Sequence, residues 1–65
     1  MKFYIPYYNA GWHILEADSK KVRKPGKYIE YCGMIYGEHA FTTEDAAAAY
    51  ICKDYYNAAK YEAAI

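Results

Sequence analysis

The sequence predicts an α+β domain with two layers, in which a three- to four-stranded antiparallel sheet packs against one C-terminal helix (β-β-β-α). Three observations predict it. Hydrophobic residues alternate with period two near the N-terminus, turn residues interrupt that alternation, and an alanine-rich segment with helical spacing follows. A length of 65 residues allows a single domain, residues 1–65.

Residues 2–17 have the pattern of a β-hairpin. Phe3 and Ile5 fall on one face of the first strand and Tyr4 falls on the other. Pro6 cannot donate to a hydrogen-bond ladder, so we expect this strand at a sheet edge or at a bulge. An Asn-Ala-Gly turn then leads into the second strand.

A third strand is predicted over residues 27–36, after a basic loop that ends in a Pro-Gly turn signal. Gly33 interrupts the alternation of this strand, which indicates a bulge or a close approach of another backbone segment. Residues 39–41 either add a short fourth strand or lead directly into the helix.

The C-terminal helix has the strongest pattern in the chain. Thr42 and Asp45 predict a weakened capping box at its start, and the alanines at 46–49 are strong helix formers. Glu62 falls on the apolar stripe, so the helix is expected to fray there or to extend past the sheet. The stripe expected to pack on the sheet contains Ala48, Ile51, Cys52, Tyr55, Ala58 and Ala59.

The formal net charge is zero, but the charges are distributed unevenly along the sequence. Residues 1–27 hold six basic and two acidic side chains, and residues 28–65 hold two basic and six acidic ones. Such an asymmetry predicts a polarised surface. The neutral sum lacks the basic excess of most nucleic-acid-binding domains, and 55% hydrophobic residues argue against disorder.

Catalytic, metal and cofactor sites are not expected. His13, Cys32, His39 and Cys52 lack the close pairwise spacing with which one turn supplies two zinc ligands. No phosphate-binding glycine loop or nucleophile elbow occurs. We therefore expect a protein that is not an enzyme and that needs no cofactor.

Cysteine content and hydropathy predict a cytoplasmic location. Cys32 and Cys52 are expected to be reduced and buried, and a single bridge between them is the alternative. The N-terminus lacks the apolar core of a secretory signal, and no apolar run is long enough to span a bilayer. No membrane contact is expected.

The basic loop within residues 20–27 is a candidate for phosphate contact. Its five cations give a local electrostatic footprint, although surface charge runs are usually only solvated. Direct nucleic-acid binding is therefore the less favoured alternative. The candidate phosphate-contacting residues are Lys20, Lys21, Arg23, Lys24 and Lys27.

Ten tyrosines are the most distinctive feature of the sequence. A core of this size cannot hide all ten rings, and tyrosine is enriched at protein interfaces. The alternative is that the rings only shield a thin core. An acidic and aromatic helix face is predicted to bind a protein partner, and an exposed aromatic face could equally serve a homodimer. Its candidate residues are Glu44, Asp45, Tyr50, Asp54, Asn57 and Tyr61.

The segment Ala40-Phe41-Thr42-Thr43-Glu44-Asp45-Ala46-Ala47-Ala48-Ala49-Tyr50 resembles the strand-to-helix join of AP2-type DNA-binding domains. In that family a strand ends in Phe-x-Thr and opens an Ala-Ala-x-Ala-Tyr helix. The resemblance implies a DNA-binding module that uses the basic loop 20–27 and the sheet. The family reads DNA with arginines and tryptophans on the sheet, whereas these strands offer tyrosines and the single Trp12.

The whole profile, one small aromatic-rich domain without a catalytic motif, is similar to the small inhibitors encoded by phages, including anti-CRISPR proteins. That resemblance implies an inhibitor in the host cell cytoplasm that occludes a nucleic-acid-handling protein complex. Its acidic side chains would compete with the nucleic acid for a basic channel. This occluding inhibitor is the first interpretation, and the AP2-like module is the alternative.

Overall fold

The computed structural model describes all 65 residues and begins with an antiparallel hairpin. Strand β1 spans Lys2–Tyr8 and strand β2 spans Trp12–Asp18. The register runs from Lys2 opposite Asp18 to Tyr8 opposite Trp12. Ala10 and Gly11 take positive φ values of 53° and 133° in the connecting turn, so the predicted hairpin is confirmed together with its turn.

The alanine-rich segment forms two short helices where the sequence predicts one long helix. Helix α1 spans Glu44–Ile51 and helix α2 spans Tyr55–Ala59. The break occurs because Lys53 takes a left-handed φ of 65° and Asp54 then caps a new helix. The predicted α+β class with a helical C-terminal segment is therefore confirmed, but this segment is divided into two helices.

The predicted third strand over residues 27–36 is a second hairpin. Strand β3 spans Glu30–Tyr31, strand β4 spans Met34–Ile35, and the two pair antiparallel. Cys32 and Gly33 take φ values of 52° and 77°, and a two-residue turn with both φ values positive reverses the chain. Gly33 therefore marks this turn, where the sequence predicted a bulge or a close approach of another backbone segment.

The predicted three- to four-stranded sheet is replaced by two sheets of two strands each. Single residues nevertheless extend the first sheet. Phe41 exchanges backbone hydrogen bonds of 2.8 and 2.9 Å with Tyr4, so it lies beside β1 on the side away from β2. Beyond the helices, Glu62 forms a bridge to Phe41 on its other side. The chain therefore pairs with the strand-like segment at Glu62, where the sequence predicted that the helix either frays or extends past the sheet.

Buried residues cover both faces of the β1–β2 hairpin. Phe3, Ile5 and Ala17 pack with Val22 and Ile29 from the basic loop and the second hairpin. The opposite face packs on the helices through a second cluster, in which Tyr4 and Ile14 contact Phe41, Ala46, Ala47 and Ala58. The predicted two-layer arrangement is therefore wrong, because the sheet is covered from both sides.

The buried face of the helical segment also differs from the predicted stripe. Ala46, Ala47 and Ala58 are buried, whereas Ala48, Cys52, Tyr55 and Ala59 are exposed. The stripe assumed one continuous helix that starts at Thr42. The observed N-cap is Thr43, whose hydroxyl accepts a 3.1 Å hydrogen bond from the Ala46 amide, and the break then rotates α2 relative to α1.

Candidate functional site

The basic loop is partly neutralised by acidic residues of the second half of the chain. Arg23 lies 3.8 Å from the carboxylate of Glu30. Lys27 lies 3.7 Å from the carboxylate of Glu38, and the Lys24 ammonium donates a 2.7 Å hydrogen bond to the Glu38 backbone carbonyl. The two charge halves therefore mix in space at this point.

Lys24 donates only to a backbone carbonyl, and Lys20 and Lys21 are the loop cations with neither an ion pair nor a side-chain hydrogen bond. They lie on a 3₁₀ turn over Ser19–Lys21, which Asp18 caps by accepting a 3.1 Å hydrogen bond from the Lys20 amide. Both side chains are exposed. Of the five predicted phosphate contacts, Arg23 and Lys27 therefore pair with a carboxylate, and the other three do not.

Part of the predicted acidic and aromatic face comes together between the two helices. Asp45, Asn57 and Tyr61 line an open groove of about 260 Å³, together with Lys60. Lys60 directs its ammonium over the Tyr56 ring, 4.7 Å from the ring centre. This groove, the α1–α2 groove, is mixed in charge, with a carboxylate and an ammonium on its rim.

Two other residues of the predicted face have structural contacts of their own. The Asp54 carboxylate caps α2, accepting hydrogen bonds of 3.4 Å from the Asn57 amide and 2.7 Å from the Asn57 side chain. Glu44 is exposed in the first turn of α1, where the helix dipole favours a negative charge. Glu44 is thus free to contact a partner, while Asp54 is partly committed to the fold.

Tyr50 lies apart from the rest of the predicted face, in a cluster of aromatic rings. Its ring centre is 5.1 Å from that of His39, 5.6 Å from Phe41 and 5.3 Å from Tyr55. Trp12 contacts the same ring edge-on at 6.3 Å. Tyr50 is half-buried here, whereas the sequence pattern placed it on the outer face of a single helix.

The cluster lines a second groove, of about 290 Å³, which sequence reasoning missed. This aromatic groove is formed by His39, Phe41, Tyr50, Tyr55 and Glu62, with Ala58 and Ala59. His39 and Glu62 are joined by a 2.7 Å contact between Nδ1 and Oε2. The missed signal is the D-x-x-N pattern at 54–57, an N-cap within the supposed helix that turns Tyr55 towards Tyr50.

Burial is the main cause that raises the pKa of Tyr50 above its ordinary value of 10.0. The neighbouring Tyr55 and the carboxylates of Glu38 and Glu62 raise this pKa further, because nearby negative charge disfavours the phenolate. Glu38 and Glu62 thus lie close enough to Tyr50 to disfavour a further negative charge beside this ring.

A third groove, of about 380 Å³, lies between the tip of the first hairpin and the second hairpin. Tyr7, Tyr8, Tyr28, Met34 and Ile35 are among its lining residues. Met34 and Ile35 are each 60% exposed, and Tyr8 is 69% exposed. Sequence reasoning missed this hairpin-tip groove, since it placed Met34 and Ile35 in one continuous strand of the sheet.

Both cysteines are free and exposed, at the turn of the second hairpin and at the end of α1. The prediction that they are buried is wrong, because Cys32 occupies the turn and Cys52 the helix break. The structure contains no cluster of three or more His, Cys, Asp or Glu side chains arranged to hold a metal ion. Neither helix has the length and hydrophobicity needed to cross a membrane.

Comparison with known proteins gave no similarity that could name a family. No family model matches the chain, and neither a curated protein nor a solved structure is significantly similar to it.

Proposed function

We propose that this chain is a non-enzymatic binding protein that acts by occupying the surface of a larger protein complex. The supporting observation is its exposed apolar surface. Only 11 of 65 residues are buried, and ten large hydrophobic side chains are exposed. Large exposed apolar patches typically mark binding sites. The exposed large hydrophobic residues are Met1, Tyr8, Trp12, Tyr28, Met34, Ile35, Tyr55, Tyr56, Tyr61 and Ile65.

The helical side of the molecule is the proposed contact surface. Between Glu44 and Glu62 the sequence holds four acidic and two basic side chains, and Tyr56 is 78% exposed there. Tyrosines supply rigid contact area at low entropic cost, and acidic groups steer the approach to a basic surface. The partner proposed is a nucleic-acid-handling complex whose basic channel this face would occlude, as an anti-CRISPR-like inhibitor does.

Reversing the acidic charges tests the proposed surface. The variant Glu44→Lys/Asp45→Lys is preferred because Asp54 caps α2 and its loss would perturb the fold. In affinity capture with the tagged protein, followed by quantitative mass spectrometry, we expect a specific protein complex to be enriched by the wild type and depleted by this variant. The matched control is Lys20→Glu/Lys21→Glu, two exposed cations away from the helices.

The difference in partner capture between these two variants shows which surface forms the interface. Equal capture by the wild type and by Glu44→Lys/Asp45→Lys would show that the acidic face is not the interface. Loss of capture in the basic-loop control alone would move the interface to that loop. Circular dichroism of each variant checks that the helices remain folded.

DNA binding, the alternative, is supported by two exposed loop cations whose side chains have no partner, Lys20 and Lys21. Phosphate contacts by basic residues make DNA affinity fall with salt. The occlusion proposal predicts that a gel-shift assay with duplex DNA at low and moderate salt shows no salt-sensitive complex. A complex that disappears in Lys20→Ala/Lys21→Ala would sink the occlusion proposal in favour of DNA binding.

A further inference from the structure

The aromatic groove has a floor and walls made of ring faces and edges. Phe41 is only 1% exposed and forms the floor. Tyr50 stands against it at 5.6 Å between ring centres, and Tyr55 stands against Tyr50 at 5.3 Å, with the two rings inclined by 65°. The imidazole of His39 completes the wall, 5.1 Å from Tyr50. Rings inclined to one another around a small open volume form the arrangement known as an aromatic cage.

Glu62 gives this groove a negative charge, and its only basic neighbour among the groove residues is His39. The Glu62 side chain is 42% exposed, and no lysine or arginine is among the residues that line the groove. When His39 is neutral, its Nδ1–H donates to the Glu62 Oε2 over 2.7 Å. That hydrogen bond fixes the carboxylate at the rim and leaves the second carboxylate oxygen without a hydrogen-bond partner.

We propose that the aromatic groove binds an organic cation, namely a lysine or arginine side chain presented by a partner protein. The ring faces attract a cation through their quadrupoles. Glu62 supplies the opposite charge, and its carboxylate would be costly to cover with a neutral apolar group. The volume of about 290 Å³ exceeds what one such side chain needs.

The electrostatics of Tyr50 agree with this assignment. Burial raises its pKa, and the charges of Glu38 and Glu62 raise it further. Burial, the larger cause, disfavours any charge at this position, whereas the smaller effect of the two carboxylates disfavours a phenolate and favours a cation.

The identity of the partner rests on the proposed function, but the chemistry of the groove can be measured without it. The probes are N-acetyl-lysine methylamide, N-acetyl-arginine methylamide and the uncharged N-acetyl-norleucine methylamide. Backbone and aromatic NMR shifts of the labelled full chain report binding. We expect saturable shifts at Tyr50, Tyr55 and His39 with both cations and none with the norleucine compound.

Two pairs of variants test the residues that carry the proposal. Glu62→Gln keeps an oxygen that can accept from His39 but removes the charge, so it should weaken cation binding about tenfold, which corresponds to about 1.4 kcal/mol. Tyr55→Ala removes a wall and should weaken it by a similar factor. The matched controls are Glu44→Gln and Tyr56→Ala, which change an exposed carboxylate and an exposed ring outside the groove and should leave affinity unchanged.

Several outcomes would overturn the proposal. They are the absence of saturable shifts, equal binding of the norleucine compound, or equal weakening by Glu62→Gln and Glu44→Gln. A groove that binds cations in a protein that captures no partner would sustain this inference and contradict the proposed function. Partner capture without cation binding would do the reverse.

Discussion

Gly37 is one residue whose identity the backbone requires. A Cβ built at this position would collide with the backbone carbonyl oxygen of Pro6, so the chain after the second hairpin passes directly over β1. Its backbone carbonyl also accepts a 2.8 Å hydrogen bond from the Ile29 amide. The glycine therefore allows the contact between the two hairpins, a close approach that a sequence without coordinates does not reveal.

Replacing this glycine should destabilise the protein. Because the neighbouring atom is backbone and cannot rotate away, Gly37→Ala is expected to lower the free energy of unfolding by about 1–3 kcal/mol. Gly26→Ala is the matched control, since nothing lies within 4 Å of its added Cβ; its stability should be unchanged or rise by about 0.5 kcal/mol. Chemical denaturation measures both, and equal effects would contradict the close approach.

Tyr50 makes a second prediction at the residue scale. Its folded-state pKa lies above the ordinary value of 10.0, so the folded protein holds the phenolic proton more tightly than the unfolded chain. The stability that this proton confers is complete below pH 10 and is lost as the pH rises through the folded pKa. We expect the wild type to lose stability with pH more steeply in this window than Tyr50→Phe does. The raised pKa of Lys2 is common to both proteins and therefore cancels in the comparison. Parallel curves of stability against pH for the two proteins would contradict the environment described for Tyr50.

Local patterns predicted the first hairpin well and the remaining elements less well. The β1–β2 alternation and the Asn-Ala-Gly turn are local signals, and the structure confirms both. The turn at Cys32 and the helix break at Lys53 were not predicted, because each residue takes a left-handed conformation without being glycine. The residue type alone does not indicate this conformation. One of these residues makes a turn within the predicted strand and the other breaks the predicted helix.

The start of α1 provides a test at the scale of the element. The Thr43 hydroxyl, and not that of Thr42, accepts from the Ala46 amide at 3.1 Å. Thr43→Ala should therefore lower the free energy of unfolding by about 1 kcal/mol, while Thr43→Ser should retain most of the stability because it keeps the hydroxyl. Chemical denaturation followed by circular dichroism provides the measurement. A Thr43→Ala variant as stable as the wild type would exclude the cap.

The break between α1 and α2 decides which residues share a surface. In one continuous helix, Tyr50 and Tyr61 would project beside Asp54 and Asn57. With the break, Tyr61 and Asn57 line the α1–α2 groove, and Tyr50 and Tyr55 line the aromatic groove. Of the residues that line the aromatic groove, the sequence singled out Tyr50 alone, because the grouping of these side chains depends on the positive φ angle of Lys53.

At the scale of the whole molecule, the opposite charges of the two halves of the sequence only partly separate in space. Contacts of Arg23 with Glu30 and of Lys27 with Glu38 bring the halves together. The other carboxylates of the second half, Glu44, Asp45, Asp54 and Glu62, lie in or next to the helices, together with Lys53 and Lys60. The polarity predicted from the sequence therefore survives in weaker form, with exposed tyrosines beside the acidic groups.

Site-specific photo-crosslinking tests the central claim, binding of a protein through the helical side, most directly. A photoreactive phenylalanine derivative would replace Tyr61 on that side in one sample and Lys20 on the basic loop in another; both positions are exposed. The account predicts a discrete protein adduct from position 61 in cells and no adduct from position 20. A nucleic-acid adduct from position 20, with none from position 61, would contradict it.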